Sequence, residues 1–253
     1  MIKNLLITYV VVLTFFSCKE ESEVAISSDV LALLEHSKNS QKRASDVLKN
    51  IQQSNDFGSA RQSRQDYLNQ IADDEFVNLE KLSTYFIIDL PYATSDNFLG
   101  EQMYDCKRCL LRGEVAKALL AEQKELMRKG YRFKIFDCYR PLSVQRKMWE
   151  LQPDPQYVAD PEQGSVHNRG AAVDLTLTNL KGDVVEMGTD FDDFSEKAHH
   201  TYKDLPAKII NNRKLLKTVM ENAGFSSFTT EWWHYNFNLG QDYEIEDFVW
   251  DCE

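Results

Sequence analysis

The chain has little of what marks a nucleic-acid-binding protein or a membrane-spanning one. Its 253 residues carry 29 Lys and Arg against 40 Asp and Glu, which gives a net charge of -11 at pH 7. An acidic excess disfavours contact with a phosphate backbone, so we expect no nucleic-acid partner. No apolar run reaches the roughly 20 residues that a membrane-spanning helix needs. The hydrophobic share of 43% is normal for a packed core, and the length fits one large domain with an extension.

A shorter apolar run follows Lys3 and covers residues 5–16, just before Cys18. Such a run is typical of a secretory signal peptide. The cysteine after it resembles a bacterial lipobox, although Phe15 stands where Leu is usual, and this resemblance implies cleavage before Cys18 and lipidation of its thiol. The acidic tract 19–23 is similar to the export signal of some Bacteroidetes surface lipoproteins. We therefore expect an exported protein, lipid-anchored in the envelope of a Gram-negative-type bacterium, on its periplasmic face or cell surface. A plain signal peptide with a chance cysteine is the alternative.

Proline is absent from residues 22–74, where the composition is polar. Apolar residues at helical spacing, in 30–34 and in 47–51, predict one or two amphipathic helices. We interpret residues 1–18 as the signal peptide with its lipidated Cys, and residues 19–75 as a helical or disordered tether. The main domain is expected over residues 76–253.

Within the main domain, the hydrophobic pattern predicts alternating strands and helices. A strand is predicted at 85–90, and apolar positions at helical spacing predict a helix over 110–129, closed by Gly130. The alternating stretch 131–140 predicts a strand that places Arg140 at its end. A helix with Pro141 at its first position follows.

Two short motifs carry the chemistry. They are Ser165-Val-His167-Asn-Arg-Gly170-Ala-Ala-Val-Asp174 and Glu231-Trp-Trp-His234. Two imidazoles and a carboxylate are a three-ligand set that leaves a fourth zinc position open. The carboxylate of Glu231, just before the last His, stands where a general base would. Each motif alone is weak, because His-x6-Asp and Glu-x-x-His pairs mostly occur by chance.

Strand alternation makes the two motifs more specific. In residues 173–178 the aliphatic side chains alternate with polar ones, which places Asp174 on the polar face of a strand. Residues 234–239 repeat the pattern with His234 on the polar face. Two neighbouring strands could therefore present both side chains to one site. Glu231 would face the opposite side of a regular strand, so it must lie in a turn or bulge to act there.

The order of the motifs resembles the zinc metallopeptidases of the hedgehog-like fold group, which include D-Ala-D-Ala carboxypeptidases. More narrowly, it resembles the VanX-type D-alanyl-D-alanine dipeptidases. The motifs that carry this narrower resemblance over residues 76–238 are Asp89-Leu-Pro-Tyr92, Cys109-Leu-Leu-Arg112, Asp137-Cys-Tyr-Arg140-Pro141, Asp174-Leu-Thr-Leu177, Met187-Gly-Thr-Asp-Phe191-Asp192, Ser195-Glu-x-x-His199 and Glu231-Trp-Trp-His234. The resemblance implies an α+β fold in which helices flank a central antiparallel sheet.

The same resemblance implies a role for each residue that matches the family motifs. His167, Asp174 and His234 would bind one zinc ion per chain, with Glu231 as the base. Arg140 would stabilise the oxyanion that develops on the attacked carbonyl, because a guanidinium stays charged and can donate two hydrogen bonds. The residues implied to surround the substrate ammonium are Asp192, Ser165 and Tyr92.

The implied reaction is hydrolysis of D-alanyl-D-alanine to two D-alanines, linked to peptidoglycan turnover or to catabolism of cell-wall dipeptide. The D-chirality rests on the resemblance alone. Two alternatives stay open. One is a D,D- or L,D-carboxypeptidase or endopeptidase of the same fold that acts on peptidoglycan stem peptides. The other is a non-catalytic peptidoglycan-binding lipoprotein, which would need neither Glu231 nor Arg140.

Four cysteines remain after Cys18, and they allow three pairings. An oxidising compartment favours disulfides over free thiols. We favour Cys109 with Cys138, because one precedes a predicted helix and the other lies on the strand that follows. Cys106 would then pair with Cys252, and unpaired buried thiols are the alternative. The neighbours His199 and His200 are interpreted as structural residues, or as residues that support the metal ligands from behind, rather than as a second metal pair.

Overall fold

The computed structural model describes Lys38, Lys42, Gln62 and residues 65–252. Cys18 and the apolar patterns at 30–34 and 47–51 lie outside the described residues. The chain divides into two compact units, residues 1–63 and 64–253. In the part of the chain that the structure describes, no helix combines the length and apolarity needed to cross a membrane.

The second unit begins earlier than the domain boundary expected at residue 76. Leu68 and Ile71 are buried in its hydrophobic core. The backbone carbonyl of Asp73 accepts a hydrogen bond from the amide of Glu114, 3.1 Å away. Residues 65–75 are therefore packed against the domain and are not part of the predicted tether.

In the described residues, seven strands form two sheets. They are β1 (Phe76–Asn78), β2 (Ile87–Ile88), β3 (Leu110–Arg112), β4 (Tyr131–Asp137), β5 (Ala172–Asn179), β6 (Phe225–Ser227) and β7 (His234–Phe237). The main sheet has the order β2-β4-β5-β7-β6, while β1 and β3 form a separate antiparallel pair. All neighbours in the main sheet are antiparallel except β2 and β4. The expected α+β fold with a central, largely antiparallel sheet is confirmed.

Four α-helices lie wholly within residues 65–252 of the described chain and accompany the sheets. They are α1 (Leu79–Leu82), α2 (Gly113–Arg128), α3 (Leu142–Leu151) and α4 (Ala207–Asn222). Helix α2 packs against β4 and α4, and α4 also packs against β6. The helix predicted over 110–129 was wrong at its start, because residues 110–112 pair with β1 instead. Gly113 opens α2 where a Cβ atom would lie only 2.1 Å from the carbonyl oxygen of Ala72.

Strand β4 ends at Asp137, so Arg140 lies three positions beyond the strand rather than at its end. The pairing of β4 with β5 shifts register between Ile135 and Asp137, which marks a bulge beside the site. The amide of Arg140 then donates to the carbonyl of His167 at 3.0 Å. Pro141 is the residue before α3 and not its first residue.

Strand β5 is covered on both faces. Val173, Leu175 and Leu177 are fully buried, as their alternation predicts. Thr176 and Thr178, on the face expected to be polar, are fully buried as well. The strand is therefore held rigidly from both sides, and Asp174 is fixed with it.

Candidate active site

The three predicted metal ligands come together near the N-terminal end of β5. Asp174 on β5 and His234 on β7 are directly opposed partners in the antiparallel ladder. His167 lies in a single 3-10 turn just before β5. That turn ends at Gly170, whose φ of 70° is left-handed and whose Cβ, if present, would lie 2.3 Å from the ring of Phe76. One ligand atom from each of the three side chains lies within 4.8 Å of the other two.

The donor atoms of this cluster fit a metal ion. His167 donates from Nδ1 to the carbonyl of Cys138 at 2.7 Å, which leaves Nε2 as its ligand atom. His234 donates from Nε2 to Oδ1 of Asn236 at 2.9 Å, which leaves Nδ1. The free imidazole nitrogens are 3.2 Å apart, and Oδ1 of Asp174 lies 2.9 Å from Nδ1 of His234. Acceptors on the far nitrogens of both rings are the usual support of histidine ligands to a metal.

The charges in the cluster are strongly coupled. Burial alone would raise the pKa of Asp174, but the adjacent imidazoles outweigh it and hold that pKa well below its usual value. Burial likewise opposes the charged form of His234, whereas the hydrogen bond to Asp174 raises its pKa to about 9. The buried negative charge of Asp174 is stable only with a positive charge beside it. Protons on the imidazoles or a bound metal ion can supply that charge.

Glu231 lies in the irregular segment that precedes β7. This was expected, because Glu231 stands three residues before His234 and would face away from it in a regular strand. Its Oε2 is 3.9 Å from Nδ1 of His234. Burial raises the pKa of Glu231, which brings the carboxylate closer to the range useful for a general base. The next two residues, Trp232 and Trp233, are buried, and the indole of Trp232 donates to Oγ1 of Thr189 at 2.7 Å. This packing fixes the segment that carries Glu231.

Arg140 is buried and is held from behind by two partners. Its Nε and Nη2 donate to Oδ2 of Asp137 at 3.2 and 2.5 Å, and its Nη1 donates to Oε1 of Gln145 at 2.8 Å. Burial would lower the pKa of Arg140, but Asp137 outweighs it and keeps the guanidinium charged. A guanidinium has five N–H groups. With three engaged, two remain to bind an oxygen in the cavity.

Asp192 supplies a further carboxylate, which is half-buried. Its backbone is left-handed, with φ of 59°, and its Oδ2 accepts a hydrogen bond from the hydroxyl of Tyr92 at 2.8 Å. Burial, and then the nearby charge of Asp174, raise the pKa of Asp192 well above its usual value. A cation beside Asp192 would relieve both effects, so the site is suited to an ammonium group.

The residues predicted for the site line one cavity of about 570 Å³. Those brought together there are Glu231, Arg140, His167, Asp174, His234, Asp192, Ser165 and Tyr92. The hydroxyl oxygen of Ser165 accepts from the amide of His167 at 3.2 Å, so Ser165 adjoins the metal-ligand turn. His199 also lines this cavity, whereas His200 does not.

Three supporting residues were not identified as functional from the sequence. They are Asp137 and Gln145, which hold Arg140, and Asn236, which orients His234. Asn236 could have been found, because it follows His234 by two positions and so shares its face of β7. Asp137 stands three residues before Arg140 in a motif already quoted. Gln145 lies on a different element, so no local pattern reveals it.

Both disulfides join the cysteines as favoured above: Cys109 with Cys138, and Cys106 with Cys252. The first lies directly behind the site, because the carbonyl of Cys138 is the acceptor for His167. The second ties the C-terminal segment to the loop before β3.

A model for the peptidase family M15, described as D-ala-D-ala dipeptidase, matches residues 72–248. The chain belongs to this family. A D-alanyl-D-alanine dipeptidase of Escherichia coli (strain K12) is 36% identical over 171 residues, which cover 68% of this chain and 89% of that protein. A D-alanyl-D-alanine dipeptidase of Enterococcus faecium is 34% identical over 171 residues, or 58% of this chain and 83% of that protein. The match spans the whole cavity, and the molecule is a metallopeptidase of the dipeptidase type.

Proposed function

We propose that this chain is a zinc-dependent dipeptidase that hydrolyses D-alanyl-D-alanine to two D-alanines. The observation that carries the proposal is the meeting of four features in one cavity. They are the cluster of His167, Asp174 and His234, the carboxylate of Glu231, the guanidinium of Arg140, and the half-buried carboxylate of Asp192. A binding protein would need only some of these. Relatives named D-alanyl-D-alanine dipeptidase support the substrate.

The residues of the cluster would hold the ion through Nε2 of His167, Nδ1 of His234 and the carboxylate of Asp174. A zinc ion held in this way lowers the pKa of a bound water towards about 7. Glu231 takes the proton from the attacking water and passes it to the leaving nitrogen. Arg140 donates hydrogen bonds to the carbonyl oxygen as negative charge develops on it.

Selection of the substrate follows from the carboxylate of Asp192. Asp192 accepts from the ammonium group of the dipeptide, and the hydroxyl of Tyr92 holds that carboxylate in position. A free ammonium next to the scissile bond exists in a dipeptide, whereas the same position in a stem peptide carries a neutral amide. A stem peptide that covered Asp192 with an amide would leave its charge without a cation, which costs more free energy than covering it with an ammonium. This supports a dipeptidase over a stem-peptide carboxypeptidase.

The reaction is tested with purified protein that lacks residues 1–18, supplied with zinc. It is offered D-Ala-D-Ala, L-Ala-L-Ala and a stem pentapeptide while free alanine is measured. We expect release from D-Ala-D-Ala alone. No release from any substrate would refute the enzyme proposal, and release from the pentapeptide alone would favour the carboxypeptidase.

We further propose that the protein is exported and anchored in the cell envelope by lipid on Cys18, where it acts during peptidoglycan turnover. The two disulfides support an oxidising compartment. The test is the variant Cys18→Ala, which should shift the protein from the membrane fraction to the soluble one. A wild-type protein that is already soluble would contradict the lipid anchor.

A further inference from the structure

A second cavity, of about 200 Å³, lies beside α4 and is separate from the catalytic one. Its lining residues share a cationic or apolar character and are His200, Tyr202, Lys203, Leu205, Ile210, Arg213, Lys214 and Lys217. Four of these carry a positive charge at neutral pH, and no Asp or Glu is among the lining residues in the described part of the chain. The whole chain has a net charge of -11, so this cluster of positive side chains is opposite in sign to the overall charge of the protein.

Arg213 is the buried centre of the group, with only 6% of its surface exposed. Its Nε donates to the carbonyl of Met187 at 2.6 Å, and its Nη1 donates to the carbonyl of Lys197 at 2.8 Å. Its Nη2 is buried and has no hydrogen-bond partner. A buried guanidinium nitrogen without a partner costs free energy, which an acceptor in the cavity would offset.

His200 gives a second, independent indication that the cavity binds a ligand. Its Nε2 is also buried without a partner. Burial, together with the neighbouring charges of Lys217 and Arg213, lowers the pKa of His200 to about 4. The cavity therefore has a positive electrostatic potential that no lining side chain neutralises. Around the cavity, Lys217 has an acidic partner in Glu221 at 3.7 Å, and the charge of Asp193 acts on Arg213.

We propose that this cavity binds a small oxyanion, of the phosphate or carboxylate class, beside the guanidinium of Arg213. Lys203 and Lys214 lie at its exposed rim and supply further positive charge, while Leu205 and Ile210 form the apolar wall. Charged hydrogen bonds from Arg to an oxyanion are among the stronger ones in proteins. The site lies behind the segment 187–199, whose carbonyls Arg213 holds and which carries Asp192. The proposed anion site does not depend on the proposed dipeptidase reaction.

The test uses the zinc-loaded protein and inorganic phosphate as the probe, with acetate as a second probe for the carboxylate class. The imidazole resonances of His200 report the cavity, because His200 lines this cavity and not the catalytic one. We expect saturable shifts of His200 with at least one of the two probes. The absence of a saturable shift with either probe would overturn the proposal.

Variants separate specific binding from general attraction. Lys203→Ala with Lys214→Ala should weaken the affinity at least about tenfold, since two charges facing the anion are lost. Lys208→Ala is the matched control, because Lys208 lies on the same helix but pairs with Glu186 outside the cavity. Equal weakening in both variants would assign the effect to net charge and overturn the proposal. Phosphate bound at the catalytic cavity instead would inhibit competitively and leave His200 unshifted.

Discussion

Tyr104 donates its hydroxyl to Oδ1 of Asp137 at 2.7 Å, while Arg140 occupies Oδ2 of the same buried carboxylate. Burial, followed by the charge of Asp137, raises the pKa of Tyr104 well above its usual value, so the phenol stays a donor. The amide of Cys138 also donates to Oδ1 at 3.0 Å, so both oxygens of Asp137 are occupied. The orientation of the guanidinium depends on a side chain that need not touch the substrate.

The variant Asp137→Asn tests this dependence. It removes the charge that pairs with Arg140 and replaces one acceptor oxygen by a donor. We expect kcat to fall about a hundredfold, as for loss of an oxyanion donor, with KM changed much less. Asp89→Asn, at an exposed pair with Lys107, is the matched control and should keep wild-type turnover. Equal rates in the two variants would show that Asp137 does not position Arg140.

The variant Glu231→Gln should lose turnover by about 10²–10⁴, because its amide cannot accept the proton. Zinc content should stay at the wild-type level, since Glu231 lies outside the ligand cluster. His167→Ala provides the contrast and should lose the metal. Metal analysis and alanine release on the same samples separate the two effects. Retained turnover in Glu231→Gln would exclude its role as base.

The variant Asn236→Ala should weaken zinc binding by about 10–100-fold, because the acceptor that selects Nδ1 of His234 as the ligand atom is lost. Asn238→Ala is the control on the same stretch, since Asn238 contacts the exposed Ser226 instead. Competition with a chelator measures both affinities. Identical affinities would show that Asn236 does not orient the ligand.

Removing the disulfide between Cys109 and Cys138 by double substitution with Ala should cost about 3–4 kcal/mol of unfolding free energy, because it closes a loop with a sequence separation of 29. The midpoint of denaturant unfolding, compared with the oxidised wild type, gives the value. Zinc affinity should fall as well, because the carbonyl of Cys138 orients His167. An unchanged zinc affinity would mean that the backbone holds this carbonyl without the disulfide.

Acid should destabilise the fold through His200. Burial lowers its folded pKa to about 4 from the ordinary 6.5, so the unfolded chain binds the proton more readily between these values. The contribution of neutral His200 to stability is complete above pH 6.5 and is lost as the pH falls towards 4. In His200→Gln the unfolding free energy should decline less over this window. A parallel decline in both proteins would assign the acid sensitivity to other groups.

The sequence predicted the residues of the candidate active site better than it predicted where the helices and strands begin and end. Strand alternation placed Asp174 and His234 on facing positions, because a two-residue period survives in any regular strand. It also required an irregular segment at Glu231, which the structure has. The start of α2 was missed because residues 110–112 have helical spacing but pair with β1, a partner distant in sequence. Gln145 and Tyr104 reach Asp137 and Arg140 only through tertiary packing, which no local pattern records.

The metal ligands come from two paired strands and the turn that precedes one of them, whereas Asp192 comes from the long connection between β5 and α4. The proposed chemistry and substrate recognition therefore reside on different parts of the chain, which are joined by the hydrogen bond from Trp232 to Thr189. Substitutions at Asp192, with Thr189 kept because it holds Trp232, should redirect the enzyme to dipeptides with larger or differently charged ends while the ligand geometry stays intact. For protein engineering, and for divergence within the family, this connection is where new specificities would arise first.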